Sequence, residues 1–233
     1  MNKSHTYLRH PKVESEYVHK IYSTIFKHFH KTRVYTWSWI REFIEYNLNN
    51  HSKEQNHSKD VIHMLDIGCG NGRNMIQSTQ QNDKKIQWYG IDTCADLLNQ
   101  CSSKSIIIQG DMTSIPLKNV SIDYSICIAS FHHLSTVERR LKCLREIQRV
   151  TKYKCLLSVW SLHQPAKTKR IFNNYGDTYV KWTEPKTKQY FYRYYYIFRI
   201  EEFIDLCNQV EGLSVETHKW DCGNEIFILN CMN

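Results

Sequence analysis

The chain has 233 residues, enough for one α/β domain with additions and a sizeable core. Lysine and arginine number 31 against 23 acids, and the resulting +8 (histidine neutral) suits a polyanionic partner without demonstrating one. No apolar run is long enough to span a membrane, the N-terminal Met-Asn-Lys-Ser-His lacks a secretory h-region, and the nine cysteines form no Cys-x-x-Cys pair. Neither a disulfide framework nor a zinc site is therefore indicated, and a reduced compartment is expected, cytoplasmic or also nuclear.

Behind a basic tail ending at Pro11, Val13, Tyr17, Ile21, Ile25 and Phe29 recur every fourth residue, which predicts an amphipathic helix. A second helical pattern follows Thr36, with Trp37, Ile40, Phe43 and Ile44 on one side, and Lys31 to Tyr35 joins the two. Residues 49 to 60 hold no apolar side chain and read as a solvated loop. The short apolar run from Val61 ends in Asp66-Ile67 and three glycines at alternate positions, Gly68, Gly70 and Gly72. That pattern predicts a buried strand, a tight turn where a ligand can approach bare backbone, and a helix from Asn71. A strand from Ile86 to Ile91 closes with Asp92, and Thr93 is placed to cap a helix carrying Leu97 and Leu98. A strand of Ser105 to Gln109 leads into Gly110-Asp111-Met112, and Tyr124 to Ile128 leads into Ala129-Ser130-Phe131-His132-His133. Leu141, Leu144, Ile147 and Val150 predict a further helix, followed by a strand from Cys155 to Trp160. Residues 161 to 198 break the rhythm. After them come a helix from Ile200 to Val210 and a closing hairpin, Leu213 to His218 and Ile226 to Asn230.

Strands alternating with helices imply a mostly parallel sheet covered on both faces. The glycine stretch fits neither of two nucleotide fingerprints: Arg73 stands where the dinucleotide motif needs glycine, and the Gly-Lys-Ser/Thr of a phosphate loop is missing. An acidic strand end followed by alternate glycines resembles the S-adenosylmethionine site of class I methyltransferases. That resemblance implies a Rossmann-like, seven-stranded α/β sheet with an antiparallel hairpin at its C-terminal end. Ligands of open parallel sheets sit beyond the carboxyl ends of the strands. There Asp92 could accept both ribose hydroxyls, Asp111 the adenine amino group with Met112 packed on the ring, and Asp66 the methionyl ammonium through water or the loop backbone. Gly68, Cys69, Gly70, Gly72 and Ala129 complete the expected cofactor site. Asp residues also favour strand-end turns for structural reasons, but three after successive strands beside a glycine loop point to a site. On this reading residues 1–233 form one methyltransferase domain. It comprises an N-terminal helical extension (1–48), a polar loop (49–60), a cofactor-binding core (61–160), a basic aromatic insert (161–199), and a C-terminal helix and hairpin (200–233).

The insert carries Lys167, Lys169, Arg170, Lys181, Lys186, Lys188, Arg193 and Arg199 against two acids, Asp177 and Glu184, interleaved with tyrosines and Trp182. Cations among aromatics suit phosphate contact with base stacking. A solvated charged loop whose aromatics fill space over the sheet is the competing reading, and both are expected to hold in part.

Several stretches are more specific than the glycine loop. They are Glu16-Tyr17-Val18-His19, Ile21-Tyr22, His28-Phe29, Thr32-Arg33, Trp37, His132-His133-Leu134-Ser135-Thr136, Glu138-Arg139-Arg140, Val159-Trp160, Val180-Lys181-Trp182, Arg193-Tyr194-Tyr195-Tyr196, Phe198-Arg199 and Asp221-Cys222-Gly223-Asn224. Through them nearly the whole chain resembles the eukaryotic tRNA wobble-uridine methyltransferases that esterify 5-carboxymethyluridine. It departs from that family at Thr151-Lys152-Tyr153-Lys154, where a glycine pair is usual, and at Lys181, where proline is usual. The resemblance implies methyl transfer from S-adenosylmethionine, leaving S-adenosylhomocysteine, to a carboxylate in the tRNA anticodon loop. An ordinary carboxylate is already ionised at neutral pH, so no general base is required; what remains is in-line geometry and restraint. Arg33 is the first candidate to hold one carboxylate oxygen and Arg193 the second, with His133 orienting the acceptor and Trp160 stacking on the uracil. Lys167, Lys169, Arg170, Lys181, Lys186, Lys188 and Arg199 are the expected RNA contacts. A small-molecule or lipid carboxyl methyltransferase, and a cofactor-binding RNA-binding subunit without turnover, remain the alternatives. In the usual strand order the strand of Ser105 to Gln109 lies at the sheet margin, with Lys104 its only nearby guard. An edge of this kind invites strand addition, and the resemblance implies a small zinc-binding activator protein there.

Overall fold

The computed structural model describes residues 11–32, 35–51, 61–77, 85–166, 168, 170–184 and 187–232. The first periodic stretch forms α1 (Lys12–Glu14), a π-helical stretch (Ser15–His19) and α2 (Lys20–Thr32), and the second forms α3 (Ser38–Asn50). The core strands follow as β1 (Val61–Ile67), β2 (Lys85–Asp92), β3 (Ile106–Gln109), β4 (Ile122–Ile128) and β5 (Thr151–Trp160). Between them lie α4 (Ala95–Leu98), a 3₁₀ turn (Phe131–His133) and α5 (Val137–Val150). The chain ends with β6 (Gly176–Thr183), β7 (Tyr190–Ile197), α6 (Ile200–Asn208), β8 (Leu213–Asp221) and β9 (Asn224–Cys231).

Seven strands form one sheet in the order β3-β2-β1-β4-β5-β9-β8, parallel from β3 to β5 and antiparallel for β9 and β8. Its two faces sort by the period-2 alternation of strand side chains. Ile62 and Met64 of β1, Trp88 of β2 and Ile126 of β4 pack with Trp39, Ile40, Phe43, Ile44 and Leu48 of α3. Leu65 and Ile67 of β1, Cys127 of β4 and Leu157 of β5 face the other way, against Leu144 and Ile147 of α5 and Phe203 of α6. Ile40 and Ile44 are wholly removed from water, each contributing roughly 1.5–3 kcal/mol. The near-continuous apolar strands thus follow from having a helical layer on each face. Thr136 caps α5, its hydroxyl accepting from the Arg139 amide at 3.3 Å.

Three local expectations give way. No helix opens at Asn71, where residues 71–74 make turns and 75–77 are irregular. Gly72 is left-handed at φ 74°, and the following carbonyls are claimed by other elements, Arg73 O by the Thr36 hydroxyl at 2.8 Å and Ile76 O by the Trp88 indole at 2.8 Å. Thr93 does not cap α4: Cys94 is the N-cap, and its amide is satisfied by Asp92 Oδ1 at 2.9 Å. The interruption of the sheet after Trp160 contains a separate antiparallel hairpin, β6 paired with β7 from Gly176↔Ile197 to Thr183↔Tyr190.

Candidate active site

The strand order reverses around β1, whose neighbours are β2 and β4, so the carboxyl ends of these strands diverge and leave a crevice. A cavity of about 360 Å³ occupies it, a size suited to a small organic ligand. Its lining includes the glycine loop (Gly68, Cys69, Gly70), Asp92, Asp111, Met112, Ala129, His133, Trp160, Arg170 and Arg193, together with Glu14, Tyr22 and Tyr195.

The loop is built for close approach. Gly68 is left-handed at φ 73°, and a Cβ there would lie 2.4 Å from Ser130 Cβ, so no other residue fits without displacement. Gly70, at φ 54°, has only a Leu97 methyl within 4 Å of where its Cβ would be, leaving bare backbone against the cavity. The Gly70 amide donates to Asp92 Oδ2 at 2.8 Å, so Asp92 is pinned between the loop and α4. Burial raises the Asp92 carboxyl from its ordinary value, partly offset by the Cys94 and Gly70 amides. A carboxylate has about four acceptor sites, so with the Cys94, Gly70 and Thr93 amides bound Asp92 still has capacity for a ligand hydroxyl.

Asp66 is fully buried, neither oxygen has a hydrogen-bond partner among the described residues, and it does not line the cavity. Burial raises its carboxyl to about 8. Gly72 also lies off the cavity wall, where a Cβ would meet Met75 Cε at 2.6 Å. Ala129 holds a left-handed φ of 52°, its amide donating to Ser158 O at 3.0 Å. Asp111 is held by others: Oδ1 accepts the Thr113 amide at 2.8 Å and Oδ2 receives Arg139 at 2.7 Å. Burial is the largest single influence and would raise its carboxyl, but the Arg139 hydrogen bond and charge together with the Thr113 amide and hydroxyl outweigh it, and the net direction is down. Arg139 also donates to Glu14 Oε2 at 2.8 Å, and Glu14 Oε1 accepts the amide and hydroxyl of Ser135 at 2.7 and 2.9 Å. That network fastens the N-terminal helix over the strand ends.

On the acceptor side, His133 Nδ1 lies 2.8 Å from the Tyr194 carbonyl and Nε2 3.1 Å from the Tyr22 hydroxyl. A carbonyl only accepts, so Nδ1 carries the proton and Nε2 accepts from Tyr22. Burial pushes this imidazole down to about 3, so the ring is neutral. His132 is wholly buried, with Nδ1 accepting the Trp160 amide at 3.0 Å. Trp160 is stacked on Tyr195 at 4.1 Å, and the Arg170 guanidinium lies 4.4 Å from its ring centroid, so a uracil would have to displace one of them. Arg193 is 6% exposed, its Nε has no hydrogen-bond partner, and no carboxylate pairs with it among the described residues. Its guanidinium sits 5.4 Å from the Tyr195 ring and 6.0 Å from that of Tyr22.

The proposed RNA contacts are dispersed. Lys181 and Lys188 are exposed on the hairpin, Arg199 is exposed at the start of α6 with its guanidinium 4.4 Å from the Tyr175 ring, and Arg170 faces the cavity. Arg33, Lys167, Lys169 and Lys186 lie outside the described residues. Glu14, Tyr22, Arg139 and Tyr195 had no role assigned from the sequence. Glu14 and Arg139 are 125 positions apart and each reads locally as an ordinary helix residue, so nothing in the sequence signals their pairing.

Residues 65–159 match the family model described as a methyltransferase domain. A tRNA (carboxymethyluridine(34)-5-O)-methyltransferase of Schizosaccharomyces pombe is 29% identical over 234 residues, 91% of this chain and 94% of that protein. An Encephalitozoon cuniculi protein named as a methyltransferase is 31% identical, covering 88% of this chain and 90% of its own length. Among solved structures, the S-adenosylmethionine-bound amino pentose methyltransferase of Micromonospora echinaspora superposes with a TM-score of 0.62 at 14% identity, covering 89% of this chain and 97% of that one. Such a likeness at that identity speaks for the fold alone.

Proposed function

The chain belongs to the tRNA carboxymethyluridine methyltransferases, S-adenosylmethionine-dependent enzymes of the class I fold, and from that premise we infer how its residues esterify a wobble-uridine carboxylate. The residues present fit the cofactor. The crevice offers bare glycine backbone and a half-buried Asp92 held by loop amides with its oxygens toward the ligand, while Asp66 lies buried behind the loop, off the cavity wall. Asp92 would hold the ribose hydroxyls, Met112 and Asp111 would border the adenine, and the Gly68–Gly70 backbone would accommodate the methionyl end. When bound, the cofactor supplies an electrophilic methyl group.

The observation that carries the reading of the acceptor side is Arg193, a buried cation on the cavity wall with an unpaired Nε. A buried charge met only by the Tyr22 and Tyr195 phenols, with no carboxylate against it among the described residues, is costly, and an incoming carboxylate would offset that cost. Arg193 therefore takes the role of carboxylate grip. Tyr22 and Tyr195, whose hydroxyls lie 3.3 Å apart, flank it. His133, neutral and fixed at both nitrogens, orients Tyr22 and does not act as a base. The carboxylate needs no base, which agrees with a site containing a neutral imidazole and a cation. The insert's cations contact phosphate. Edge strand β3, with Ile106 46% exposed, is the docking edge for a small zinc-binding activator.

Nucleoside mass spectrometry tests the activity. tRNA from cells lacking this chain should carry free 5-carboxymethyluridine, and its expression should restore the methyl ester; unchanged ester content would overturn the reading.

A further inference from the structure

The β6–β7 hairpin has two faces that the register keeps apart. Lys181 lies opposite Tyr192 and Thr183 opposite Tyr190, so these four share one face, while Val180, Arg193 and Tyr195 lie on the other. The second face turns inward and brings Arg193 and Tyr195 to the cavity. On the first, Tyr194 is buried, while Tyr179, which packs edge-on against Tyr17 at 5.0 Å, is still 46% exposed. Toward the tip it opens to solvent, with Tyr190 56% and Tyr192 44% exposed. Their rings meet edge-to-face at 5.9 Å, and Lys181 Nζ lies 4.4 Å from the Tyr190 centroid. Large aromatics left in water beside a cation need an account, because burying them would be favourable. Lys188 at the turn adds charge, and the segment's two acids are both engaged, Asp177 by the Tyr194 hydroxyl at 2.6 Å and Glu184 by Thr187.

We propose that this open face, formed by Tyr190, Tyr192 and Lys181, is a stacking surface for unpaired bases of the RNA substrate adjoining the nucleotide held in the cavity. The inference rests on the reading of the protein as a tRNA methyltransferase. The same strand presents Tyr192 to solvent and, one residue later, Arg193 to the cavity, so a loop whose target nucleotide is extruded toward Arg193 meets the tyrosine face with its neighbours. Phenol rings stack on any base, and the ammonium neutralises phosphate, which suits a single-stranded loop better than a duplex.

The test measures binding of the full chain to an anticodon stem-loop RNA and to a fully paired duplex of the same length. Tyr190→Ala with Tyr192→Ala should weaken stem-loop binding at least about tenfold, while the salt dependence stays unchanged. Tyr190→Phe with Tyr192→Phe should bind as the parent does, because stacking uses the ring. Lys181→Glu should instead reduce the salt slope. Cofactor affinity should be unaltered in all three. Stem-loop affinity unchanged by the alanine pair would overturn the proposal, as would equal losses for stem-loop and duplex. A parent chain that binds neither RNA would overturn the underlying tRNA reading itself.

Discussion

Replacing Arg193 by methionine separates its proposed role from a structural one, because the two predict opposite signs for stability. Methionine keeps the length and apolar bulk that pack near Tyr22 and Tyr195, and deletes the charge. The guanidinium is 6% exposed with an unpaired Nε, so its removal breaks no ion pair with a described residue and ends a desolvation that only the Tyr22 and Tyr195 phenols offset. Unfolding free energy should therefore stay level or rise. The acceptor carboxylate, in contrast, loses its counter-charge. At an effective dielectric of about 20 and a separation near 4 Å the attraction is about 4 kcal/mol, and a charge-assisted hydrogen bond gives a lower figure of about 2 kcal/mol. That range corresponds to a loss of roughly 30- to 1000-fold in kcat/KM. Single-turnover methyl transfer to tRNA bearing carboxymethyluridine measures it, with calorimetry of cofactor binding and urea unfolding alongside. Arg193→Lys should recover part of the rate, since it restores charge without the planar fork. A rate within threefold of the parent would refute the grip, and a marked fall in stability would mean that Arg193 is chiefly structural.

Asp92→Ala removes the acceptor for the Gly70 and Cys94 amides as well as the proposed ribose contact, so cofactor affinity should fall by about 1–3 kcal/mol, and unchanged affinity in a folded variant would exclude the role. Asp66 titrates near 3.8 when unfolded and about 8 when folded, so the folded state binds the extra proton between those values and stability declines as pH rises from about 4 to about 8. Asp66→Asn should accordingly stabilise the ligand-free protein more at pH 8 than at pH 5, and equal gains by urea titration would contradict the burial argument. Ile106→Lys places a charge on the exposed edge strand; it should improve solubility of the chain expressed alone and weaken capture of the proposed activator, and no change in either would remove β3 as the docking edge.

How much of this could be read before folding depends on the range of the interactions involved. Elements whose signal is local were legible: the stripe of Ile40, Phe43 and Ile44, the run of Tyr124 to Ile128, and the turn at Asp221 to Asn224 all appear where their periodicity places them. The helix expected at Asn71 was not, because Thr36 and Trp88 claim the backbone carbonyls it needed, one 37 residues upstream and the other 12 downstream. The β6–β7 hairpin was obscured because one of its faces packs toward the cavity while the other, largely open to solvent, also carries tyrosines, so aromatics occur at both parities.

The amino-acid sequence by itself determined the class of fold and the cofactor crevice, because glycines at alternate positions and acids at strand ends report backbone geometry that is decided within a few residues. Only the tertiary structure decided which charges remain available. Asp111 is taken up by Arg139, Arg139 is shared with Glu14, and Arg193 is left on the cavity wall with no carboxylate partner among the described residues. The ionic partners come from segments far apart in the chain, and burial, which sets the cost of each charge, exists only once the helices and the hairpin have closed over the strand ends.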